Sequence, residues 1–275
     1  MTADGERTMR NTGVALTVAL CGLLAAFGAD DAERHGSGMM NATAVSDDRG
    51  IAGGVKVLFL GNSITLHGSL PGIGWTNVWG MAASAAEKDY VHLVTRGIEK
   101  ELGRKADVRV RNLAEFERDF TTYDLAKLDD LVAFRPEVLV VALGENVKDL
   151  KTEDERTAFR ASFKRLLGRF MRPRAKPLTV VRGVFWPNDW KDDLMAHAAS
   201  DYALPFVKAD FGNDPGMKAI GLFSHGGVAN HPGDAGMSAI AEAILEGLFP
   251  KKSGHSARVT FEDIAVTIDG KTQAL

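Results

Sequence analysis

The sequence has little cysteine, little proline and almost no excess of charge. Of its 275 residues only Cys21 is a cysteine, and it lies in an apolar run near the amino terminus, which excludes a disulfide framework, a cysteine nucleophile and a cysteine metal site. The 9 prolines exclude a collagen-like chain. Because 33 Lys and Arg face 36 Asp and Glu, the net charge of −3 gives no electrostatic reason to expect nucleic acid or an anionic membrane as a partner. With 45% hydrophobic and 25% charged residues, the composition is that of a soluble globular domain.

One stretch departs from this composition. Arg7 and Arg10 precede an uncharged run over 11–29 that ends at two aspartates. Its apolar centre is shorter than the roughly 20 residues that span a bilayer, and small residues near its end suit cleavage. We therefore predict a cleaved signal peptide over 1–28 and a secreted or periplasmic protein with no membrane contact after cleavage. A membrane anchor and a lipid anchor at Cys21 are the alternatives.

Beyond this leader the chain divides by pattern. Residues 29–52 are polar and small and predict a flexible linker, 53–250 form the main domain, and 251–275 form a C-terminal extension whose alternation predicts short strands packed on that domain. Within the main domain, apolar runs typical of buried strands alternate with helical segments. The predicted strands are Val55–Leu60, Val108–Arg111, Val138–Leu143, Leu178–Phe185 and Phe206–Ala209. The pattern predicts an α/β fold, a three-layer α/β/α sandwich with a mostly parallel sheet of about five strands.

Three turns at strand ends or before a helix carry the polar residues of interest. The segment Gly61-Asn-Ser-Ile-Thr65 follows the first strand, and Gly144-Glu-Asn-Val147 follows the third. Near the carboxyl terminus, Asn230-His-Pro-Gly-Asp-Ala-Gly-Met237 precedes a helical segment. Sites in parallel sheets gather beyond the carboxyl ends of the strands, so these side chains are expected to meet there. The alternatives are a helix cap for the serine and a turn-forming role for the asparagine.

Together the three blocks resemble the SGNH hydrolases, also called GDSL esterases and lipases, over roughly 55–249. The resemblance implies a flavodoxin-like sandwich with Ser63 as the nucleophile and His231 as the general base. It further implies that the Ser63 N–H and the Asn146 side chain donate to the oxyanion, and it implies no cofactor. The chemistry suits these residue types, because a serine hydroxyl needs a neighbouring base and a tetrahedral oxyanion needs N–H donors.

Two departures from the family pattern bear on the site residues. Glu117 stands where the second block has a glycine whose N–H joins the oxyanion hole, so the resemblance makes the Glu117 N–H a third donor. Val228 stands where the pattern has an aspartate three residues before the histidine. His231 is then oriented either by a backbone carbonyl near Val228 or by a carboxylate from elsewhere. The candidate carboxylates are Glu145, Asp210 and Asp234, of which Asp234 is better placed to cap the last helix.

The other histidines have simpler interpretations. His67 follows Ser63 by four residues and is predicted to line the pocket or to lie at the surface, with a role as an alternative base as a further option. His225 and His231 lack the fixed spacing of zinc motifs, so no metal site is predicted. An ordinary histidine pKa of about 6.5 predicts that activity rises near that pH as His231 loses its proton.

Tryptophans follow two of the predicted site segments. Trp75 and Trp186 are candidate substrate-binding rings for a sugar, the alternative being that they fill the core or its margin. The function predicted from these patterns is an exported serine esterase that hydrolyses short-chain acyl esters, O-acetyl groups on carbohydrate above all. A non-catalytic glycan-binding protein and a polysaccharide O-acyltransferase on the same scaffold are the alternatives.

Overall fold

The computed structural model describes residues 53–171, 176–251, 265–268 and 271–274. Five strands form one parallel sheet in the order β2-β1-β3-β4-β5. The strands are β1 (Val55–Gly61), β2 (Ala106–Asn112), β3 (Val138–Ala142), β4 (Leu178–Arg182) and β5 (Phe206–Val207). The predicted parallel, five-stranded sheet is confirmed.

The helices cover both faces of this sheet. They are α1 (Tyr90–Leu102), α2 (Ala114–Arg118), α3 (Asp129–Phe134), α4 (Glu153–Gly168), α5 (Asp189–Ser200), α6 (Gly226–Ala229) and α7 (Asp234–Leu248). One core places Val57 and Phe59 of β1 against α1 and α7. The other places Leu58 and Leu60 of the same strand against α2, α3, α4 and α5. Because successive strand residues point to opposite faces, a continuous apolar run fills both cores, and the predicted three-layer architecture is confirmed.

Three predicted strands extend too far; β3 ends at Ala142, one residue before the predicted end, and the other two differ more. β4 ends at Arg182, and the next residues leave the sheet because the Val184 N–H donates to the Asp192 carboxylate at 2.9 Å. β5 likewise ends at Val207. Short helices such as α2 and α3 are absent from the prediction because they span too few residues to show a helical period.

The expected leader over 1–28 and linker over 29–52 lie outside the described residues, as does most of the C-terminal extension. Two strands of that extension are described, β6 (Ala265–Ile268) and β7 (Lys271–Ala274), and they pair antiparallel. Their packing on the main domain stays a prediction. In the described part of the chain, no helix combines the length and apolarity that a membrane crossing requires.

Strand register brings the predicted site turns to one edge of the sheet. Leu60 of β1 lies beside Val141 of β3, so positions three residues further on, Ser63 and Gly144, follow neighbouring strands at the same level. The turn after β2 leads into α2 at this edge as well, since Gly61 pairs with Asn112.

Candidate active site

Ser63 lies on a tight turn directly after β1. The Asn62 carbonyl accepts from the N–H groups of Thr65 and Leu66 at 3.0 and 2.9 Å, and the Asn62 side chain accepts from Ile64 N–H at 3.1 Å. These bonds close the chain around Ser63 and hold its side chain at the sheet edge. No acceptor among the described residues binds the Ser63 N–H. That N–H is therefore free to donate to an anion.

Gly61 makes this turn possible. A Cβ at this position would lie 1.7 Å from the Thr65 Oγ1, far inside van der Waals contact. The same hydroxyl lies 2.6 Å from the Tyr90 hydroxyl, so the turn is bonded to the first residue of α1. A side chain at 61 would push Thr65 away and disturb the turn that carries Ser63.

His231 meets Ser63 across the sheet edge. Its Nε2 lies 2.8 Å from the Ser63 Oγ, and its Nδ1 lies 2.7 Å from the Gly227 carbonyl oxygen. A carbonyl only accepts, so Nδ1 carries the proton in the neutral ring and Nε2 presents its lone pair to the serine hydroxyl. Of the partners predicted to orient His231, the structure places a backbone carbonyl next to Val228 at the ring.

Burial lowers the pKa of His231 to about 4, and the charge of His67 acts in the same direction. The Gly227 carbonyl and the Glu145 carboxylate raise this pKa, but burial outweighs them. The imidazole is therefore neutral, and able to accept a proton, over the whole neutral range. The pH below which activity is expected to fall therefore moves from about 6.5 to about 4.

Asn146 lies in the turn after β3, where Gly144 has a φ of 123° that favours glycine. Its Nδ2 donates to Glu117 Oε2 at 2.6 Å. A primary amide has two N–H groups, so one remains for another acceptor. Glu117 also bonds the turn that carries Ser63, because Asn62 Nδ2, from the residue before Ser63, donates to Glu117 Oε1 at 3.0 Å.

The predicted role of the Glu117 N–H needs correction. This N–H donates to the Leu113 carbonyl at 3.1 Å within the turn that forms α2, so it is engaged and does not serve an oxyanion. The carboxylate of Glu117, by contrast, lies buried among the N–H groups of the other two turns. The residue thus belongs to the site through its side chain and not through its backbone.

A buried ion pair lies beneath this group. Glu145 Oε1 contacts Arg182 Nη1 at 2.7 Å, Glu145 Oε2 accepts from Asn62 Nδ2 at 2.6 Å, and the Arg182 side chain has no exposure. Burial alone would raise the pKa of Glu145, but the charge and hydrogen bond of Arg182 and the hydrogen bonds from Asn62 and Phe185 together outweigh it, and the net pKa lies below the ordinary value. For Glu117, burial and then the charge of Glu145 raise the pKa. Sequence reasoning missed this network, although an arginine closing the apolar strand β4 was its visible signal.

Two of the predicted substrate-binding residues lie near the candidate pair. Trp186 is partly buried, and its ring meets the His231 ring edge to face with centroids 5.5 Å apart. His67 is partly buried, lies close enough for its charge to act on His231, and bonds the Gly68 carbonyl through Nδ1 at 2.6 Å. Both positions suit residues that border a substrate.

Trp75 and Asp234 have different roles from those predicted. Trp75 has 0% exposure and fills a small apolar cluster with Met81 and Val228, so it offers no ring to a substrate. Asp234 is not the cap of α7, whose N-cap is Gly233, and its carboxylate instead accepts from Ser84 N–H at 2.9 Å. Among the described residues no group of three His, Cys, Asp or Glu side chains is arranged to hold a metal ion.

Comparisons with known proteins address the fold. No family model matches the sequence, and no curated protein matches it. Among solved structures, LAE5, an alpha/beta hydrolase enzyme from the metagenome of Lake Arreo, is similar with a TM-score of 0.50 at 20% identity, over 72% of this chain and 96% of LAE5. The chain shares the fold of LAE5.

Two further similar structures are named esterases. A mutant of the acetyl-xylooligosaccharide esterase Axe2 from Geobacillus gives a TM-score of 0.49 at 18% identity, over 73% of this chain and 97% of Axe2. CEX, a two-domain esterase active on acetylated mannans, gives 0.48 at 21% identity, over 74% of this chain and 52% of CEX. This chain thus spans about half of CEX. The α/β fold rests on the strand order of the sheet and on the likeness to LAE5, which at 20% identity shows the fold alone.

Proposed function

We propose that this protein is a serine esterase of SGNH type that hydrolyses short-chain acyl esters. The observation that carries the proposal is the Ser63 Oγ placed 2.8 Å from His231 Nε2, in a ring whose other nitrogen is held by a carbonyl. A hydroxyl paired in this way with a neutral imidazole is an activated nucleophile. The lowered pKa of His231, about 4, keeps that base unprotonated near neutral pH.

The proposed reaction has two halves. The Ser63 hydroxyl gives its proton to His231 Nε2 while Oγ bonds to the ester carbonyl carbon. The oxyanion that forms is held by the Ser63 N–H and the second N–H of Asn146. As the tetrahedral species collapses, the bond to the alcohol breaks and His231 returns the proton to the leaving oxygen. Water then repeats these steps on the acyl-enzyme, which releases the acid and restores Ser63.

We assign the substrate to acetylated carbohydrate. The partly exposed Trp186 ring, held at a right angle to His231, offers an apolar surface of the kind that sugar rings stack on. Export through residues 1–28 would bring the protein to such polymers outside the cytoplasm. Both the substrate class and the export are part of this proposal.

Hydrolysis of a short-chain chromogenic ester and of acetylated polysaccharides tests it. In the protein that begins at residue 29, Ser63→Ala and His231→Gln are each expected to lower kcat by on the order of 10⁴-fold or more. Ser200→Ala and His197→Gln, both on the exposed end of α5, serve as matched controls and are expected to keep full activity. Full turnover in Ser63→Ala, or none in the parent on any ester, would refute the proposal.

A further inference from the structure

Glu117 collects N–H groups from both turns of the candidate site. Its Oε1 accepts from Gly144 N–H at 2.5 Å, from Asn62 Nδ2 at 3.0 Å and from Asn146 N–H at 3.4 Å. Its Oε2 accepts from Asn146 Nδ2 at 2.6 Å. A single side chain thus ties the residue before the candidate nucleophile to the candidate oxyanion donor.

These contacts are those of an acceptor. Burial and the charge of Glu145 raise the pKa of Glu117, but all four bonds come from N–H donors, so the geometry is that of an ionised carboxylate, which offers about four lone-pair sites on two oxygens. Hydrogen bonds from N–H groups to a charged acceptor are shorter and about twice as strong as neutral ones. The side chain of Glu117 has no exposure, so water does not compete for its oxygens.

The negative charge of Glu117 is compensated indirectly, through Asn62 and Glu145. Asn62 Nδ2 bonds Glu117 and also Glu145, and Glu145 is paired with the buried Arg182. Lys191 lies close enough to both carboxylates to interact with their charges, and its Nζ donates to the Val147 carbonyl at 2.5 Å. The two carboxylates and two cations make a group in which Glu117 interacts with amide dipoles and not with a cation directly.

We propose that Glu117 is a positioning residue for the oxyanion hole, whose carboxylate holds one N–H of the Asn146 amide so that the other points at the developing oxyanion. This inference rests on the proposed function. An asparagine side chain that is free to turn would present either its oxygen or its nitrogen to the substrate, and only the nitrogen stabilises negative charge. Fixing that choice before the reaction is what a partner of a site residue contributes.

A double-mutant cycle tests this role. Glu117→Gln keeps the shape but replaces one acceptor oxygen with an NH₂ group, which cannot accept from Asn146 or Gly144. We expect kcat on a chromogenic ester to fall about 10- to 100-fold, the usual effect of losing an orienting partner, with KM nearly unchanged. In an Asn146→Ala background the same substitution should change kcat by less than about threefold, because the group it positions is gone.

The matched control is Glu99→Gln. Glu99 also accepts a backbone N–H, that of Ala106 at 3.0 Å, but lies outside the site, so kcat should not change. If Glu117→Gln fails to fold, Glu117→Asp, which keeps the charge and shortens the reach, takes its place in the cycle. Equal losses of kcat in the parent and Asn146→Ala backgrounds would mean that Glu117 does not act through Asn146 and would overturn the inference.

A second measurement does not depend on activity. The side-chain amide signals of Asn146, assigned by their absence in Asn146→Ala, are expected to be downfield-shifted in the parent and to move in Glu117→Gln but not in Glu99→Gln. If the parent hydrolyses no ester while this shift occurs, the proposed function fails and the positioning contact stands. If the parent hydrolyses esters while the Asn146 signals stay unchanged in Glu117→Gln, the inference fails and the function stands.

Discussion

The turn that carries Ser63 and the loop that carries His231 are held in place by different kinds of interaction. The Ser63 turn is fixed from below by buried charged side chains, since the Asn62 amide bonds both Glu117 and Glu145. The His231 loop is fixed by its own backbone, with the Gly227 carbonyl on the ring and the Val228 carbonyl accepting the His231 N–H at 3.0 Å.

Two tasks that a single carboxylate can perform, orienting the histidine ring and stabilising its charged form, are separated here. A carbonyl at Nδ1 selects the tautomer and orients the ring as well as a carboxylate does, but it carries no full negative charge to stabilise an imidazolium. The pKa of about 4 for His231 agrees with that absence. Negative charge is instead placed under the nucleophile turn, where Arg182 compensates it.

Removing the buried cation Arg182 is expected to have the largest effect on the nucleophile side. In Arg182→Met the buried Glu145 carboxylate loses its partner, and we expect the free energy of unfolding to fall by about 3–5 kcal/mol. Arg104→Met, which removes an exposed ion pair with Glu137, is the control and should lower the free energy of unfolding far less. Urea denaturation measures both. Equal losses in the two variants would show that the buried network does not stabilise the nucleophile side.

Placing a carboxylate in the histidine loop tests whether the backbone carbonyl is enough to orient His231. Val228 has 0% exposure and packs with Trp75 and Met81, so Val228→Asp buries a polar group in an apolar cluster. We expect a loss of about 2–3 kcal/mol in the free energy of unfolding, and no gain in kcat/KM because Nδ1 is already bonded. Val228→Asn is the uncharged control, which should lose less at neutral pH. A kcat/KM above that of the parent would mean that His231 lacks a carboxylate it can use.

The difference between the two segments also explains what the sequence could and could not predict. The fold followed from alternating apolar strands and helices, because burial on both faces of a parallel sheet leaves a continuous apolar run such as that of β1. Ser63 and His231 followed from short local motifs at the ends of these elements, and the structure brings their side chains into contact.

The side chains beneath the site could not be found in that way. Glu117, Glu145 and Arg182 lie on three separate segments, and only the packing of α2, β4 and the turn after β3 brings them together. The sequence motif shows only that Glu117 stands at a glycine position of the family pattern, and this points to its backbone N–H and not to its side chain. For Trp75 the sequence left open whether the ring faces a substrate or fills the core, since sequence spacing does not show which way a loop side chain points; the structure places it in the core.

Trp186 offers a smaller test, on the histidine side. Trp186→Ala removes the ring that covers His231, and an aromatic contact of this kind contributes about 0.5–1.5 kcal/mol, so kcat/KM should fall about 2- to 10-fold. Trp190→Ala, which removes a ring that is 60% exposed and packed under Arg156, is the control and should leave kcat/KM unchanged. A loss confined to Trp190→Ala would place the substrate elsewhere.

The smallest expected effect concerns pH. His231 must be neutral to accept the Ser63 proton, and its pKa of about 4 lies below the ordinary value, so kcat/KM should be constant at neutral pH and fall to half at about pH 4. His67→Gln removes a charge that lowers this pKa, so the half-point should move to slightly higher pH. His197→Gln, at an exposed position of α5, is the control and should not move it. Stopped assays with circular dichroism at each pH separate titration from unfolding. A half-point near pH 6.5 in the parent would show that His231 titrates as in water. The imidazole ring would then be far more hydrated than its contacts with Ser63 and Trp186 imply.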